Sequence, residues 1–439
     1  MERTTPIDAT PYSVTTRATP PGVFFIALTY ETKRFFGMRS TRFCILGAGP
    51  SGLAFATALK AAGETSFVLL EKEATAGGLC RSMDVDGAPL DIGGGHFLDI
   101  RRQNVLDFLF QFMPRSEWAE HRRVSTIRLR NVEVEHPLEG NLWQLPLDAQ
   151  VEFLESIAQA GCVRGEPQPE AFDAWIRWKL GARIAEEYML PYNQKIWSMP
   201  LNELGTYWLY KLPNVSFRET LRGCLSHQST GSLPAHGTFL YPKRHGYGEV
   251  WNRMANSLGT QFLPCTPFHS VDLQNRIVNG EFQYQHLINT IPWTEWANHT
   301  TPQMPPDVAA AIQQLVHTSI DVTYRPENLS SAAHWIYEPA ESLRYHRLLL
   351  RHNFASGSHG YWEETNAKRS APSDGFRHHN EFAYPVNTRT KPAALATILQ
   401  WATAHNIHPL GRWGAWEQMN SDVAVDLALQ AAKSYAQTD

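Results

Sequence analysis

A glycine-rich turn constrains the fold of this chain more than any other feature. The apolar run RFCIL (42–46) predicts a buried strand, and GAGPSG and a helical stretch ending at Gly63 follow it. Gly47, Gly49 and Gly52 fit G-x-G-x-x-G, in which the glycines permit a tight turn, close approach to a pyrophosphate and packing of helix on strand. The sequence therefore predicts a right-handed parallel βαβ unit of the Rossmann type.

An acidic residue at the end of the next strand supports a dinucleotide site. SFVLLEK predicts that strand, and Glu71 stands 19 residues after Gly52, where a carboxylate can accept from both ribose hydroxyls. In the following KEATAGGLCRS, Gly77 and Gly78 let a second loop approach the same cofactor, and Arg81 can reach its phosphates. This arrangement resembles the FAD signature of amine oxidase and glutathione reductase type flavoproteins. A bound nicotinamide cofactor or a purely structural glycine turn is the alternative.

A third glycine-rich stretch, DIGGGHFLD (91–99), completes the predicted cofactor site. Gly94 and Gly95, together with Gly93, leave room for a flat ring, and His96 can lie over that ring as a catalytic candidate. The alternative for His96 is an ordinary loop histidine. Because no cysteine or histidine stands in a recognisable flavin-attachment motif, we expect the FAD to be bound non-covalently.

Composition excludes several other classes of protein. The chain has 439 residues, which predicts two or three domains, and its 39 basic and 43 acidic side chains are interspersed, which argues against nucleic-acid binding. Its five cysteines are widely spaced without a C-x-x-C pair, as expected in a reducing compartment, so we expect a cytoplasmic protein. The sequence contains no run of 18 apolar residues, so it predicts no membrane span. No motif in it indicates a metal site.

The order of the predicted elements indicates an α/β fold with a Rossmann-type FAD-binding domain built from discontinuous segments. A helical domain and an antiparallel β-sheet substrate domain interrupt it, and the Thr- and Pro-rich N-terminus predicts a disordered extension. The predicted boundaries are 1–37 for the extension, 38–101, 235–292 and 386–439 for the FAD domain, 102–118 and 147–215 for the helical domain, and 119–146 and 293–385 for the substrate domain.

Five motifs between about 42 and 435 resemble the UDP-galactopyranose mutases, especially the eukaryotic branch. They are EAFDAWIRWKLGARIAEEYMLPYNQKIWSMP, FLYPKRHGYGEVW, YHRLLLRHNF, AYPV and GRWGAWEQMNSD, in the family's order. The resemblance implies a FAD enzyme whose reduced flavin attacks the anomeric carbon of a sugar nucleotide and isomerises the sugar ring without net redox. NAD(P)H is the expected external reductant, and the substrate is a small anion.

The resemblance also implies roles for particular residues. Arg347, Arg412 and Tyr384 match the groups that hold the diphosphate, whose charge grows as it leaves. Trp175 matches the position that stacks on the base, and Asn193 lies in the matching PYN. Alternatively, Arg347 is a solvated strand residue, Tyr384 a packed aromatic, and Trp175 a core residue. The C-terminal motif places further residues beside the flavin: Gly411, Arg412, Asn420, Ser421 and Asp422.

The chain departs from the family pattern at expected substrate contacts. The family's second tyrosine near the C-terminus becomes Gln418, an arginine becomes Leu190, and PFQ becomes PLE with Leu138 and Glu139. Each lost charged contact typically costs about 1.5–3 kcal/mol. These departures predict weak affinity for UDP-galactose, with Gln418 and Glu139 contacting a different substrate.

Three functions therefore compete. We favour a mutase-like enzyme, because Arg347, Tyr384 and Arg412 suit an anionic substrate. A FAD-dependent oxidase or dehydrogenase of the amine oxidase fold, acting on a small polar or amine substrate, is the second. A binding module that escorts prenylated GTPases is the third, and the intact Glu71 and Gly77–Gly78 argue against it.

Overall fold

The computed structural model describes residues 38–209, 214–231 and 236–436, so the predicted extension 1–37 lies outside the described residues. The strands are, in chain order, β1 (Arg39–Leu46), β2 (Phe67–Leu70), β3 (Ser82–Val85), β4 (Ala88–Asp91), β5 (Leu98–Asp99), β6 (Trp118–Arg122), β7 (Ser125–Leu129), β8 (Val132–Glu135), β9 (Thr238–Pro242), β10 (Phe262–Leu263), β11 (Val271–Asp272), β12 (Ile277–Val278), β13 (Phe282–Asn289), β14 (Thr300–Thr301), β15 (His317–Arg325), β16 (Trp335–Tyr337), β17 (Arg347–Leu349), β18 (Tyr361–Asn366), β19 (Arg377–Pro385) and β20 (Ile407–Pro409).

Helices connect and cover these strands. They are α1 (Pro50–Ala61), α2 (Gln103–Leu109), α3 (Leu147–Ala158), α4 (Phe172–Ile184), α5 (Leu190–Trp197), α6 (Phe217–Ser226), α7 (Gly248–Leu258), α8 (Pro306–Gln313), α9 (Lys391–Ala404), α10 (Gly411–Gly414) and α11 (Ser421–Ala436). In the described part of the chain, no helix has the length and apolarity needed to cross a membrane.

The first sheet contains the predicted Rossmann-type βαβ unit. Its strand order is β10-β2-β1-β13-β12-β11-β14, with β20 beside β13, and β10, β2, β1, β13 and β20 run parallel. Alternate residues of β1 face opposite sides: Phe43 and Ile45 pack under α1, α7 and α11, whereas Cys44 and Leu46 pack under α8 and α9. Burial on both sides explains why RFCIL is continuously apolar.

The second sheet has the order β19-β15-β18-β17-β16-β7-β8. Its strands are antiparallel as predicted, except that β7 runs parallel to β16, with Thr126 opposite Ile336. The parallel pair is possible because β7 and β16 come from distant parts of the chain, and a long connection removes the constraint of a hairpin. The sheet is therefore mixed, not wholly antiparallel.

The helical region is interrupted at Gly181 in α4, whose φ of +75° and ψ of 165° lie outside the helical range. A π-helical turn (Ala185–Met189) joins α4 to α5, so the helical path continues through Pro191. Pro191 lies in the first turn of α5, directly after the π-helical turn. These helices share a hydrophobic core with the β7–β8 hairpin, which positions them over one end of the second sheet.

Packing differs from the predicted domain boundaries in two places. Residues 102–118 pack in the core under the first sheet, where Val105 and Leu109 are fully buried, and not with the helical region. Strand β14 pairs with β11 of the first sheet, and α8 packs beside α9, so 293–315 lie with the first sheet. Neither segment carries a local signal that predicts its packing partner.

Candidate functional site

A cavity of about 420 Å³ opens beside the carboxyl ends of β1 and β2, and this volume lies within the range of ligand pockets. Turns after parallel strands border it, which is where ligands bind in open α/β sheets. The cavity brings together ten of the predicted cofactor residues: Gly47, Gly49, Glu71, Gly78, Arg81, His96, Gly411, Arg412, Asn420 and Ser421.

The three motif glycines have separate structural roles. Gly47 has φ +92°, which favours glycine, and a Cβ there would lie 2.7 Å from Thr290 Oγ1. A Cβ on Gly52 would overlap the backbone carbonyl oxygen of Gly47, so only glycine lets α1 pack against the turn. Around Gly49 no atom lies within 4 Å of an added Cβ, so the backbone there faces open space at the start of α1. This space suits a pyrophosphate beside helix N–H groups.

The second predicted loop touches the first. Gly77 has φ +112° and Gly78 φ +55°, and a Cβ on Gly78 would lie 3.3 Å from the Cα of Gly49. Arg81 donates from Nε to the Gly78 carbonyl oxygen at 3.0 Å and lies 3.2 Å from Glu73, which holds its guanidinium at the cavity wall.

Glu71 is buried and is part of the turn as well as the cavity wall. Its carboxylate accepts from the Ala48 N–H at 2.7 Å and from the Glu73 N–H at 3.0 Å. Burial raises the pKa of Glu71, although the two backbone N–H groups partly offset this. Each carboxylate oxygen still has a lone pair available for a ribose hydroxyl.

Replacing Glu71 with Ala is expected to lower the flavin content of the purified protein several-fold. The change removes a charged acceptor from the cavity and leaves the Ala48 N–H without its partner. The ratio of flavin to protein absorbance measures the effect. Glu71→Gln keeps the shape of the side chain, so its flavin content should fall between those of the wild type and Glu71→Ala. Full flavin occupancy in Glu71→Ala would exclude the ribose role.

The third predicted loop holds a neutral histidine. His96 donates from Nδ1 to the Gly94 carbonyl oxygen at 2.9 Å, and its ring lies parallel to that of Tyr247. Burial, with a contribution from Arg412, lowers the pKa of His96 to about 4. At neutral pH its Nε2 is therefore an acceptor that carries no charge.

A buried ion pair supports the glycines of this loop. Glu364 accepts from the Gly95 N–H at 3.1 Å and pairs with Arg347, whose Nη2 lies 2.5 Å from Oε2. Burial alone would raise the pKa of Glu364, but Arg347, together with His346, lowers it to about 2. A Cβ on Gly94 would lie 2.5 Å from Glu364 Oε1, so the loop and the carboxylate are in direct contact. Sequence analysis missed Glu364, which lies in an ordinary strand pattern.

The predicted diphosphate residues lie together. Arg347 Nη2 donates to the Tyr384 hydroxyl at 3.4 Å, and the Arg412 guanidinium lies 5.7 Å from the Tyr384 ring centre. Arg412 donates to the carbonyl oxygens of Ala383 at 3.0 Å and Met419 at 2.8 Å. Burial lowers the pKa of Arg412, and within the described residues no carboxylate lies within 4.0 Å of it.

Comparisons with known proteins agree with this geometry. Residues 45–112 match the model of the NAD(P)-binding Rossmann-like domain. A crystal structure of reduced UDP-galactopyranose mutase is 22% identical and superposes with a TM-score of 0.81 over 91% of this chain and 94% of that chain. The chain shares the UDP-galactopyranose mutase fold. This confirms the predicted fold class.

Two other enzyme structures superpose on this chain with lower TM-scores. Cyclohexylamine oxidase from Brevibacterium oxydans is 15% identical, with a TM-score of 0.61 over 91% of this chain and 99% of that chain. A fatty acid isomerase from P. acnes is 12% identical, with a TM-score of 0.61 over 90% and 98%. At such identities the comparisons establish the fold and leave the reaction open.

Three residues that were predicted to bind substrate contact other parts of the protein instead. Trp175 lies in the hydrophobic core with its ring parallel to Phe172, as the alternative interpretation held, and it is not part of the cavity lining. Asn193 donates to the Met189 carbonyl oxygen at 2.7 Å and accepts from Trp197 at 3.0 Å, which braces α5. Gln418 donates to the Pro385 carbonyl oxygen at 3.1 Å. Helix packing positions Trp175 and Asn193, whereas Gln418 lies between α10 and α11 and is held by the end of β19.

The start of α11 closes the cavity from the C-terminal side. Gly411 has φ +72° and packs on Ser51, Asn420 is exposed at the cavity, and Ser421 shares a hydrogen bond of 2.7 Å with the Tyr247 hydroxyl. Asp422 is predicted to face the flavin but is not in the cavity lining, because one oxygen accepts from Arg102 at 3.0 Å. Its other oxygen is buried and has no hydrogen-bond partner among the described residues.

Asp91 should make stability depend on pH. Burial raises its pKa from 3.8 to about 7, although Ser82 donates to it at 2.5 Å and the Tyr247 N–H at 3.2 Å. Because the unfolded chain ionises first, the free energy of unfolding should fall as pH rises from about 4 to about 7 and then level off. In Asp91→Asn this part of the pH dependence should vanish in denaturant titrations. An unchanged profile would contradict the prediction.

Proposed function

We propose that this protein is a FAD-dependent enzyme that isomerises a small anionic sugar derivative, such as a sugar nucleotide, by mutase-type chemistry. The observation that carries the proposal is the partly buried guanidinium of Arg412, which lines the cavity without a carboxylate partner among the described residues. A buried cation is costly unless it meets an anion. Tyr384 lies next to Arg412 and accepts from Arg347, although neither Tyr384 nor Arg347 is in the cavity lining.

The residues present fit FAD. Glu71 suits the ribose hydroxyls, and the open backbone at Gly49 and the Arg81 guanidinium suit the pyrophosphate. His96 lines the cavity, whereas Gly94 and Gly95, which were predicted to leave room for a flat ring, do not. When bound, a flavin supplies a nucleophilic nitrogen in its reduced form and a hydride acceptor in its oxidised form. NAD(P)H is the proposed external reductant.

The chain's own residues would stabilise charge on the leaving group. Arg412 is fixed by two backbone carbonyl oxygens and Arg347 by Glu364, so neither guanidinium needs to reorganise as charge develops. Tyr384 accepts from Arg347 and can donate its own proton to an oxyanion. The uncharged His96 bounds the cavity without adding a further cation beside Arg412.

An oxidase or dehydrogenase is the second candidate. Leu190 and Gln418 stand where the mutase resemblance expects polar substrate contacts, and tyrosine rings surround Arg347. Aromatic walls of this kind also suit an amine substrate, and an amine oxidase shares the fold.

Redox dependence separates the two candidates. The purified protein should be yellow, and mixing the oxidised holoprotein anaerobically with a candidate sugar nucleotide should leave the flavin oxidised while perturbing its spectrum. After a single chemical reduction, turnover should continue for many cycles without further reductant. Rapid bleaching of the flavin by substrate alone would establish the oxidase reaction, and a colourless protein that takes up no FAD would exclude both.

A further inference from the structure

Two neighbouring helices, α3 and α6, expose apolar side chains to solvent. Nine large hydrophobic side chains are exposed in the described part of the chain, and four of them lie on these two helices. They are Leu147 (72% exposed), Val151 (46%), Leu221 (36%) and Leu225 (77%), and we call them the apolar patch. A single exposed leucine is ordinary on a protein surface, but four such residues on adjacent elements are typical of an interaction site.

The apolar patch lies on one side of the molecule. Phe153 of α3 and Cys224 of α6 are buried in the same hydrophobic core, so both helices cover that core from the outside. The two helices pack against each other, and the Thr230 N–H, after α6, donates to the Gly140 carbonyl oxygen, just before α3, at 3.0 Å. On each helix the two patch residues are four positions apart, so they form a stripe along its outer face.

Charged side chains of opposite sign border the apolar patch on its two helices. Arg218 and Arg222 are exposed on α6, where they line a groove together with the patch residues of that helix. Asp148 and Glu155 are exposed on α3. Among the described residues, none of these four charged side chains has an ion-pair partner within 4.0 Å. The surface is therefore basic on its α6 side and acidic on its α3 side.

This distribution of charge is complementary to itself. In a two-fold dimer the same surface of each copy meets, and contacts occur in reciprocal pairs. When two apolar patches face each other in opposite orientations, α6 of each copy lies opposite α3 of the other, so arginines meet carboxylates twice. An anionic lipid surface or an acidic partner would instead be repelled by the exposed Asp148 and Glu155. The charges therefore favour a second copy of this chain as the occupant.

We propose that this protein forms a two-fold symmetric homodimer through α3 and α6. The apolar patch lies at the centre of the interface, and Arg218 and Arg222 of each copy pair with Asp148 and Glu155 of the partner subunit. The apolar side chains exclude water from the centre, whereas the charge pairs at the rim set the orientation of the two copies. The inference is independent of the proposed function, because neither helix lines the cofactor cavity.

Analytical ultracentrifugation of the flavin-loaded, full-length protein tests the proposal. We expect a dimer at about 10 µM, as for specific interfaces of standard size. Leu225→Ser should weaken self-association by about tenfold or more, because it removes an apolar side chain from the centre of the interface. Leu427→Ser, which changes an exposed leucine of α11, is the matched control and should leave self-association unchanged. A monomeric wild type, or a dimer that Leu225→Ser does not weaken, would overturn the proposal.

Charge-reversal variants test the pairing between the two copies. One variant combines Arg218→Glu with Arg222→Glu, and the other combines Asp148→Lys with Glu155→Lys. Each variant alone should be monomeric at the concentration where the wild type is dimeric, because like charges then face each other. An equimolar mixture of the two variants should regain the dimer, because every contact again joins opposite charges. An affinity tag on one variant identifies the mixed dimer.

Two further outcomes would overturn the proposal. A mixture that stays monomeric would show that the charges do not pair across a two-fold axis. A monomeric wild type that sediments with phosphatidylserine vesicles, and loses this binding in Leu225→Ser, would assign the apolar patch to a lipid surface. Wild-type flavin content and melting temperature establish that each variant is folded. Leu225→Ser decides the test alone if a charge-reversal variant does not fold.

Discussion

Replacing Arg347 with Met is expected to lower the free energy of unfolding by about 3–5 kcal/mol, the usual result when one partner of a buried ion pair is removed. Glu364 is almost fully buried, and Arg347 contacts its Oε2 through Nη2 at 2.5 Å and Nε at 2.7 Å. Without the guanidinium, the polar neighbours that remain for the carboxylate among the described residues are the Gly95 N–H and His346. Denaturant titrations of the purified variant measure the loss.

A double variant is the control for this ion pair. Arg347→Met combined with Glu364→Gln should recover most of the stability, because an uncharged amide replaces the unpaired carboxylate. The wild-type pair should stabilise the fold fully above pH 4.5, the usual carboxyl pKa, and lose that contribution as pH falls towards about 2. A double variant as unstable as Arg347→Met alone would show that the pair is not the cause.

Replacing Arg412 with Ala is expected to lower turnover by roughly 10²–10³, the effect of losing one fixed donor to developing charge. The guanidinium lines the cavity, is held by the Ala383 and Met419 carbonyl oxygens, and lies over Tyr384. Steady-state kinetics on the substrate that perturbs the flavin spectrum measure the loss, with activity expressed per bound flavin.

Two further variants make that measurement specific. Arg412→Lys keeps the charge but cannot donate to both carbonyl oxygens in the same geometry, so most of the loss should persist. Arg389→Ala removes an exposed arginine paired with exposed Glu170 and should leave turnover unchanged. If Arg412→Ala keeps turnover within about threefold of wild type, the leaving-group role is wrong.

Ten residues of the cavity lining could be predicted from the sequence because they lie in short contiguous motifs. Gly47, Gly49 and Glu71 belong to one strand–turn–helix–strand unit. The backbone geometry of that unit restricts which residue types occur at these positions, so a motif is visible in the sequence. The fold class could also be predicted from a local pattern, because burial on both faces of β1 requires a continuous apolar strand.

The surroundings of the predicted substrate residues were harder to predict than the cavity lining, because segments distant in the sequence form them. Glu364 resembles any polar residue of an alternating strand, and only the pairing of β17 with β18 brings it opposite Arg347. Trp175 has the same residue type as a stacking platform, yet helix packing places it in the core. The parallel pairing of β7 with β16 is also a long-range result that neither segment encodes locally.

The position of Glu364 links two binding events that are usually treated separately. Its carboxylate holds both the Gly95 N–H of the cofactor loop and the Arg347 guanidinium. A ligand that draws Arg347 towards itself therefore also changes how firmly the cofactor loop is held. Thermodynamic reciprocity requires that any factor by which cofactor tightens anion binding equals the factor by which the anion tightens cofactor binding. Any coupling between the Gly94–Gly95 loop and Arg347 would therefore pass through the Glu364 side chain.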